Sequence, residues 1–233
     1  MIKPIYTLAD SHLLFWKNGK RRFLQQIREQ LDSSNPAAAY IGASNGNNPE
    51  FFSLFRAAMR EIEVFRHRMI SLNATEEDKS FMENADLILL AGGDVERGWQ
   101  IFEKNKMQEL ILQRRYGGAV LVGVSAGAVQ LGMGSLSESN RMKKLSLLQL
   151  LPFYLDVHDE ESEWWNLRAL VTMSGNKTRG IGIPAGGGMI WNPDGSLEPV
   201  RKPLVEFSGD GDRIREHLLL PETGLESSVQ QEY

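Results

Sequence analysis

Residues 123–128 read Gly-Val-Ser-Ala-Gly-Ala and follow the apolar run Ala-Val-Leu-Val at 119–122. A serine at a strand-to-helix turn needs small neighbours, because the chain turns so sharply that its hydroxyl is pushed above the sheet edge. Gly123, Ala126 and Gly127 meet that need around Ser125. If a helix starts at Ala126, its first backbone N–H groups face the hydroxyl and can hold a developing oxyanion. The same five residues also describe a glycine-rich turn with an incidental serine. A nucleophile requires a base and a second oxyanion donor from elsewhere in the chain.

The second donor can come from Ala-Gly-Gly-Asp at 91–94, which ends the preceding apolar run. Paired glycines let backbone approach a ligand closely, so the N–H of Gly93 can complement that of Ala126. Asp94 then either caps the next helix or reaches the substrate. The base has four histidine candidates. His12 lies in a loop with no motif around it, His67 falls at a solvent-facing strand position, and His217 belongs to the terminal Arg-Glu-His-Leu run. His158 follows an extended run and precedes a helical one, a turn from which side chains reach the carboxyl edge of a sheet. It is the candidate base.

These residues need a scaffold, and the pattern supplies one. Apolar runs at 4–8, 37–43, 87–93 and 119–124 each end in a Gly-, Ser- or Asp-containing turn. Between them, residues 21–31, 49–62 and 97–115 repeat apolar positions at three- and four-residue spacing. That alternation predicts an α/β fold with a central, mostly parallel sheet between helical layers. Asn48-Pro49-Glu50 is a helix start, which places the loop 44–48 at the ligand-binding edge of the sheet. Further on, 148–157 reads as a strand, 160–173 as a helix and 188–200 as a hairpin around Asn-Pro-Asp-Gly. Residues 203–207 and 214–220 read as the last strands, and 221–233 as a loosely attached tail. The expectation is one domain over 1–233.

In order and approximate spacing, Leu-Ile-Leu-Leu-Ala-Gly-Gly-Asp (87–94), Gly-Val-Ser-Ala-Gly-Ala (123–128), Leu-Leu-Pro-Phe-Tyr-Leu-Asp-Val-His (150–158) and the segment 179–191 resemble the dipeptidase E and cyanophycinase family of serine peptidases. The likeness covers roughly residues 36–207. It implies a three-layer, flavodoxin-like fold of the class I glutamine amidotransferase type. It further implies Ser125 as nucleophile, His158 as base, and Gly93 with Ala126 as oxyanion hole. An ordinary α/β-hydrolase runs Ser, acid, His, whereas this family runs Ser, His, acid.

The acid is where the chain departs. The family places a glutamate where this sequence reads Ala185, in Gly-Ile-Pro-Ala-Gly at 182–186. Removing the acid of a serine triad lowers turnover by about four orders of magnitude, roughly 5.5 kcal/mol. Substitutes near His158 are Asp156, Asp159, Glu160 and Glu161. Strand alternation favours Asp156 by placing it on the side of His158. Family members of this type use arginines beyond the histidine to bind an acidic substrate. Here four acids precede Arg168, which also suits a helix first turn. The expected substrate is therefore a neutral or basic small peptide or isopeptide, with Asp94, Arg168 and Trp164 or its neighbour Trp165 as candidate contacts.

Composition narrows the alternatives. The absence of cysteine removes disulfides, thiolate metal sites and a cysteine nucleophile. A net charge of −4 argues against a nucleic-acid partner. The scattered histidines suggest no metal, and no glycine-rich segment has a dinucleotide-binding context, so no cofactor is expected. Without an apolar leader or membrane-length segment, a cytoplasmic monomer or homodimer that does not engage membranes is expected. The competing readings are a catalytically impaired relative that binds a peptide or amino acid in the same pocket, and a general esterase.

Overall fold

A computed structural model describes residues 1–19, 21–137, 140, 143–210 and 213–221. The tail beyond 221, expected to be loosely attached, lies outside the described residues. The strands used below are β1 (Ile5–Leu8), β2 (Ala37–Ile41), β3 (Arg66–Met69), β4 (Leu87–Leu90), β5 (Val120–Val124) and β6 (Tyr154–Val157). They continue with β7 (Arg179–Ile183), β8 (Gly188–Trp191), β9 (Leu197–Val200), β10 (Leu204–Asp210) and β11 (Arg213–Leu219). The central sheet has seven strands in the order β9-β8-β1-β5-β4-β2-β3. Strands β1 to β5 run parallel, and the 188–200 hairpin adds two antiparallel strands at one edge.

The chemistry of the runs explains this sheet. Ala-Ala-Ala-Tyr-Ile, Leu-Ile-Leu-Leu and Val-Leu-Val-Gly-Val are buried at every position, as strands covered on both faces must be. The crossover α2 (Pro49–Glu61) begins with Asn48 Oδ1 accepting the Glu50 N–H at 2.8 Å and Pro49 at the first helical position. It buries Phe55, Ala58 and Met59. Residues alternate between two cores along β1: Ile5 packs on one face of the sheet, Tyr6 and Leu8 on the other.

Some boundaries moved for local reasons. The 97–115 pattern forms two helices, α4 (Val95–Asn105) and α5 (Met107–Tyr116), separated by Lys106 at φ 55°. Asn105 ties the break to loop 72–74, which leads into α3 (Glu76–Glu83), donating to the Leu72 carbonyl and accepting the Ala74 N–H. The 21–31 pattern keeps a helix only at α1 (Phe23–Arg28), because Arg21–Arg22 pairs with Lys17–Asn18 in a short ribbon. Only the last four residues of 148–157 are strand. The N–H groups of residues 147–151 instead bond carbonyls of residues 130–133, at and just beyond the end of α6 (Ala126–Leu131). His67 is half-buried rather than solvent-facing, with its ring 6.1 Å from Phe52 and 6.4 Å from Phe55.

The strands after residue 150 that do not join the central sheet form a second sheet, β6-β7-β10-β11. Val157, Ile181, Ile183 and Leu204 of this sheet share one buried cluster with Ile88 and Leu121 of the first. That shared core brings the end of β6 to the carboxyl edge of β5.

Candidate active site

Ser125 links β5 to α6 with φ 51° and ψ −118°, a backbone conformation that L-residues rarely adopt. Its N–H donates to the Leu8 carbonyl at 2.8 Å, and its carbonyl accepts the Ala128 N–H at 2.8 Å. The small neighbours are required sterically. A Cβ on Gly123 would lie 2.6 Å from the Ala128 Cα, and one on Gly127 would lie 2.1 Å from the Leu90 carbonyl oxygen. The 91–93 turn presses on the serine from the other side, where a Cβ on Gly92 would sit 3.1 Å from the Ser125 Cβ. Gly93 has φ 137°, and a Cβ there would collide with the Ser44 carbonyl at 2.2 Å. The N–H groups of Gly93 and Ala126 donate to no acceptor among the described residues.

His158 follows β6 at φ 45° and donates its N–H to the Ile183 carbonyl at 2.9 Å. This left-handed residue turns the imidazole toward β5, so that Nε2 lies 2.9 Å from Ser125 Oγ. The ring is exposed, and Nδ1 has no hydrogen-bond partner among the described residues. His12 is exposed beside Asp10, and His217 sits on β11; neither bonds Ser125.

The loop that carries Ala185 meets two acidic side chains. Ala185 is exposed in the loop between β7 and β8, and its N–H donates to Glu160 Oε1 at 2.6 Å. The next N–H, of Gly186, donates to Asp10 Oδ2 at 2.6 Å. Among the acids near His158, Glu160 is thus the one whose carboxylate meets the Ala185 loop.

Asp156 does not fill the role expected of it. The left-handed backbone at His158 breaks the alternation, and Asp156 lines a separate cavity with Glu96, Ser137 and Asn166. Burial pushes its carboxyl up to about 7, against a hydrogen bond from the Val157 N–H, and the Asp159 charge adds to the rise. It makes no bond to His158.

The expected substrate contacts also lie elsewhere. Asp94 caps α4, its Oδ1 accepting the Arg97 N–H at 2.7 Å. Trp164 is buried over Gly182, where a Cβ would be 2.7 Å from the indole. Burying that ring puts Glu163 and Trp164 in left-handed conformations, which splits the expected 160–173 helix into a short turn at Glu160–Ser162 and α7 (Trp165–Ser174). Arg168 on α7 pairs with Glu216 at 3.3 Å and lies over the Phe207 ring. Trp165 lines a shallow depression beside Arg168, away from Ser125.

What borders Ser125 instead is a cavity of about 220 Å³, with Leu14, Phe51, Leu54, Phe55 and Tyr40 in its wall and His158 at its rim. The sequence pattern assigned residues 49–62 as a whole to a crossover helix covering the sheet, without singling out Phe51, Leu54 or Phe55. Their signal was present, since apolar residues at 51, 52, 54 and 55 make a stripe wider than one sheet contact needs. Among the described residues no helix is long and apolar enough to cross a membrane, and no cluster of three metal-ligating side chains occurs.

A central parallel sheet with a serine and histidine joined above its carboxyl edge defines an α/β protein of hydrolase type. The model of peptidase family S51 matches residues 12–198, and the chain belongs to that family. No curated protein sequence matches it. Among solved structures, a peptidase from an acI-B1 Actinobacterium is similar with a TM-score of 0.74 at 14% identity, covering 96% of each chain. A Listeria monocytogenes EGD-e protein assigned to peptidase E is similar with a TM-score of 0.63 at 13% identity, covering 86% of this chain and 99% of the other. These likenesses establish the fold.

Proposed function

We propose that this chain is a serine peptidase that hydrolyses a small peptide or isopeptide through an acyl-enzyme on Ser125. The observation carrying the proposal is the 2.9 Å contact between Ser125 Oγ and His158 Nε2. That distance suits direct proton transfer. In this mechanism Nε2 takes the hydroxyl proton as Oγ bonds to the scissile carbonyl carbon, and the carbonyl π electrons move onto oxygen. The N–H groups of Gly93 and Ala126 receive that oxyanion, which their lack of internal acceptors supports. As the tetrahedral species collapses, the C–N bond breaks and the amine leaves with the proton from His158. Water then attacks the ester, again giving a proton to Nε2, and Ser125 recovers its own.

Ala185 limits the rate. With no carboxylate on Nδ1, solvent alone orients the ring and stabilises the imidazolium, so turnover falls well below that of a full triad. The same observation favours a second reading, a relative that binds a peptide in this pocket and barely turns it over. One experiment separates the two: a mixed dipeptide library is followed by mass spectrometry with the wild type and Ser125→Ala, and Ser125 is labelled with a fluorophosphonate. Cleavage and labelling that both depend on Ser125 are expected. Cleavage by neither protein, with no labelling, would leave only the binding reading.

A further inference from the structure

The cavity beside Ser125 has a chemistry opposite to the acidic-substrate preference that the resemblance implies. Its floor is Leu89, Ala91 and Val124, the carboxyl ends of β4 and β5, and its outer wall comes from Leu14 and from Phe51 and Leu54 of α2. Phe51 and Leu54 remain 47% and 41% exposed, so α2 carries apolar surface beyond what the core consumes. Among the described residues, no lysine or arginine lines the space. The charged side chain in the wall is Asp10, whose two oxygens already accept the His12 and Gly186 N–H groups. A substrate carboxylate entering this space would lose water and meet no cation, an unfavourable transfer. An apolar side chain would lose water favourably.

Position assigns the side chain to one half of the substrate. The cavity opens on the sheet face of Tyr6, Leu8, Tyr40 and Phe55, whereas His158 follows β6, whose Val157 and Leu155 pack with the opposite face. Ser125 lies in the cavity lining, and the His158 ring meets the cavity at its rim. The departing amine must face His158 Nε2 to collect its proton, so the residue that supplies the acyl group turns toward the cavity. A volume of about 220 Å³ is below the range of roughly 300–1,000 Å³ typical of drug-sized ligands and suits a single side chain.

We infer that the residue on the acyl side of the cleaved bond carries a large apolar side chain, such as leucine or phenylalanine, held between α2 and the ends of β4 and β5. This inference rests on the peptidase reading but concerns binding, so it is tested with and without turnover. Binding of Phe-Ala, Leu-Ala, Ala-Ala and Asp-Ala to Ser125→Ala is measured by calorimetry, and kcat/KM for the same peptides is measured with the wild type. The apolar peptides should exceed Asp-Ala at least tenfold in both assays, with Ala-Ala between them, since one methylene in an apolar pocket discriminates by roughly 10-fold or more.

Leu54→Arg is the second variant, on an exposed helix position that tolerates arginine. It should narrow the gap between Phe-Ala and Asp-Ala by about tenfold, with a thermal midpoint close to wild type. An Asp-Ala preference in either assay overturns the inference, as does a Leu54→Arg ranking identical to wild type. Apolar-selective binding without hydrolysis would uphold the pocket and defeat the peptidase reading.

Discussion

Ser125 sits where β5, α6 and the 91–93 turn press together at backbone distance, whereas His158 stands on a left-handed residue at a rim of exposed acids, Glu160, Glu161 and Glu163. On the serine side, glycines are fixed by contacts that a single methyl would break. On the histidine side, backbone bonds hold the loop, and among the described residues the ring is bonded only to the serine. The serine side is packed and the histidine side loosely oriented, so steric constraint is concentrated at the elbow and the loops around His158 can accommodate change without a change of fold. The second sheet shares its core with the first, so that accommodation is confined to loops.

The largest test of this contrast is Asp156→Asn. Because Asp156 is raised from 3.8 to about 7 by burial, the folded chain binds its proton more tightly than the unfolded chain does. Stability is therefore fullest below about pH 4 and is lost as pH climbs toward 7. Asparagine removes the titration, so the variant should gain nothing at pH 4 and up to about 4 kcal/mol at pH 8, read by urea unfolding across that range. Turnover should stay within a few-fold, since Asp156 faces a cavity away from His158. A loss of activity near a hundredfold would return Asp156 to the site and break the comparison.

Packing on the serine side comes next. Gly127→Ala places a methyl against the Leu90 carbonyl oxygen and should cost about 3 kcal/mol, near the top of the usual overpacking range. The thermal midpoint should fall by roughly 6–10 °C, whereas Glu161→Ala on the exposed rim should change stability by less than about 0.5 kcal/mol. Equal effects at the two positions would remove the distinction.

Ser125→Ala ranks third, because triad residues act as a unit. Where the acid is intact, losing the serine lowers turnover by about 10⁶, but losing the acid alone already accounts for about 10⁴ of that. With Ala185 in the acid position, the remaining fall is about a hundredfold. A fall of 10⁵ would mean that another group, Glu160 foremost, already serves His158.

Much of this arrangement was legible in the sequence because it rests on local chemistry. Continuous apolar runs marked the buried parallel strands, Asn48-Pro49 marked a helix start, and the small residues around Ser125 marked a turn that only small residues can make. His158 stood out by its place between an extended and a helical run. The misassignments share a physical cause: they depended on contacts distant in sequence. Trp164 went into the core because Gly182, on another strand, leaves room for an indole. Arg168 found Glu216 on β11. Asp156 turned away because one left-handed residue follows soon after it, and period-two alternation does not anticipate that. The apolar wall beside Ser125 was visible as a wide stripe on α2, but which part of the stripe faces a cavity is decided by the loops opposite.

The smallest expected effect is also the sharpest probe of the histidine side. Ala185→Glu restores a carboxylate at the position where the resemblance places the acid, on a loop already tied to His158 through Ile183. A well-placed acid is worth about 10⁴ in turnover. Here the new side chain must compete with Glu160, which holds the Ala185 N–H at 2.6 Å, and it starts from an exposed position where chain entropy opposes a fixed geometry. A rise in kcat of about tenfold, or roughly 1.4 kcal/mol, is therefore expected, with KM little changed because no contact to substrate is added. Adding Glu160→Gln to Ala185→Glu removes the competing charge and should raise kcat further, while Glu160→Gln alone should leave it unchanged or lower it. If Ala185→Glu alters neither kcat nor its pH profile, His158 is not limited by orientation, and the histidine side is better organised than its exposure implies.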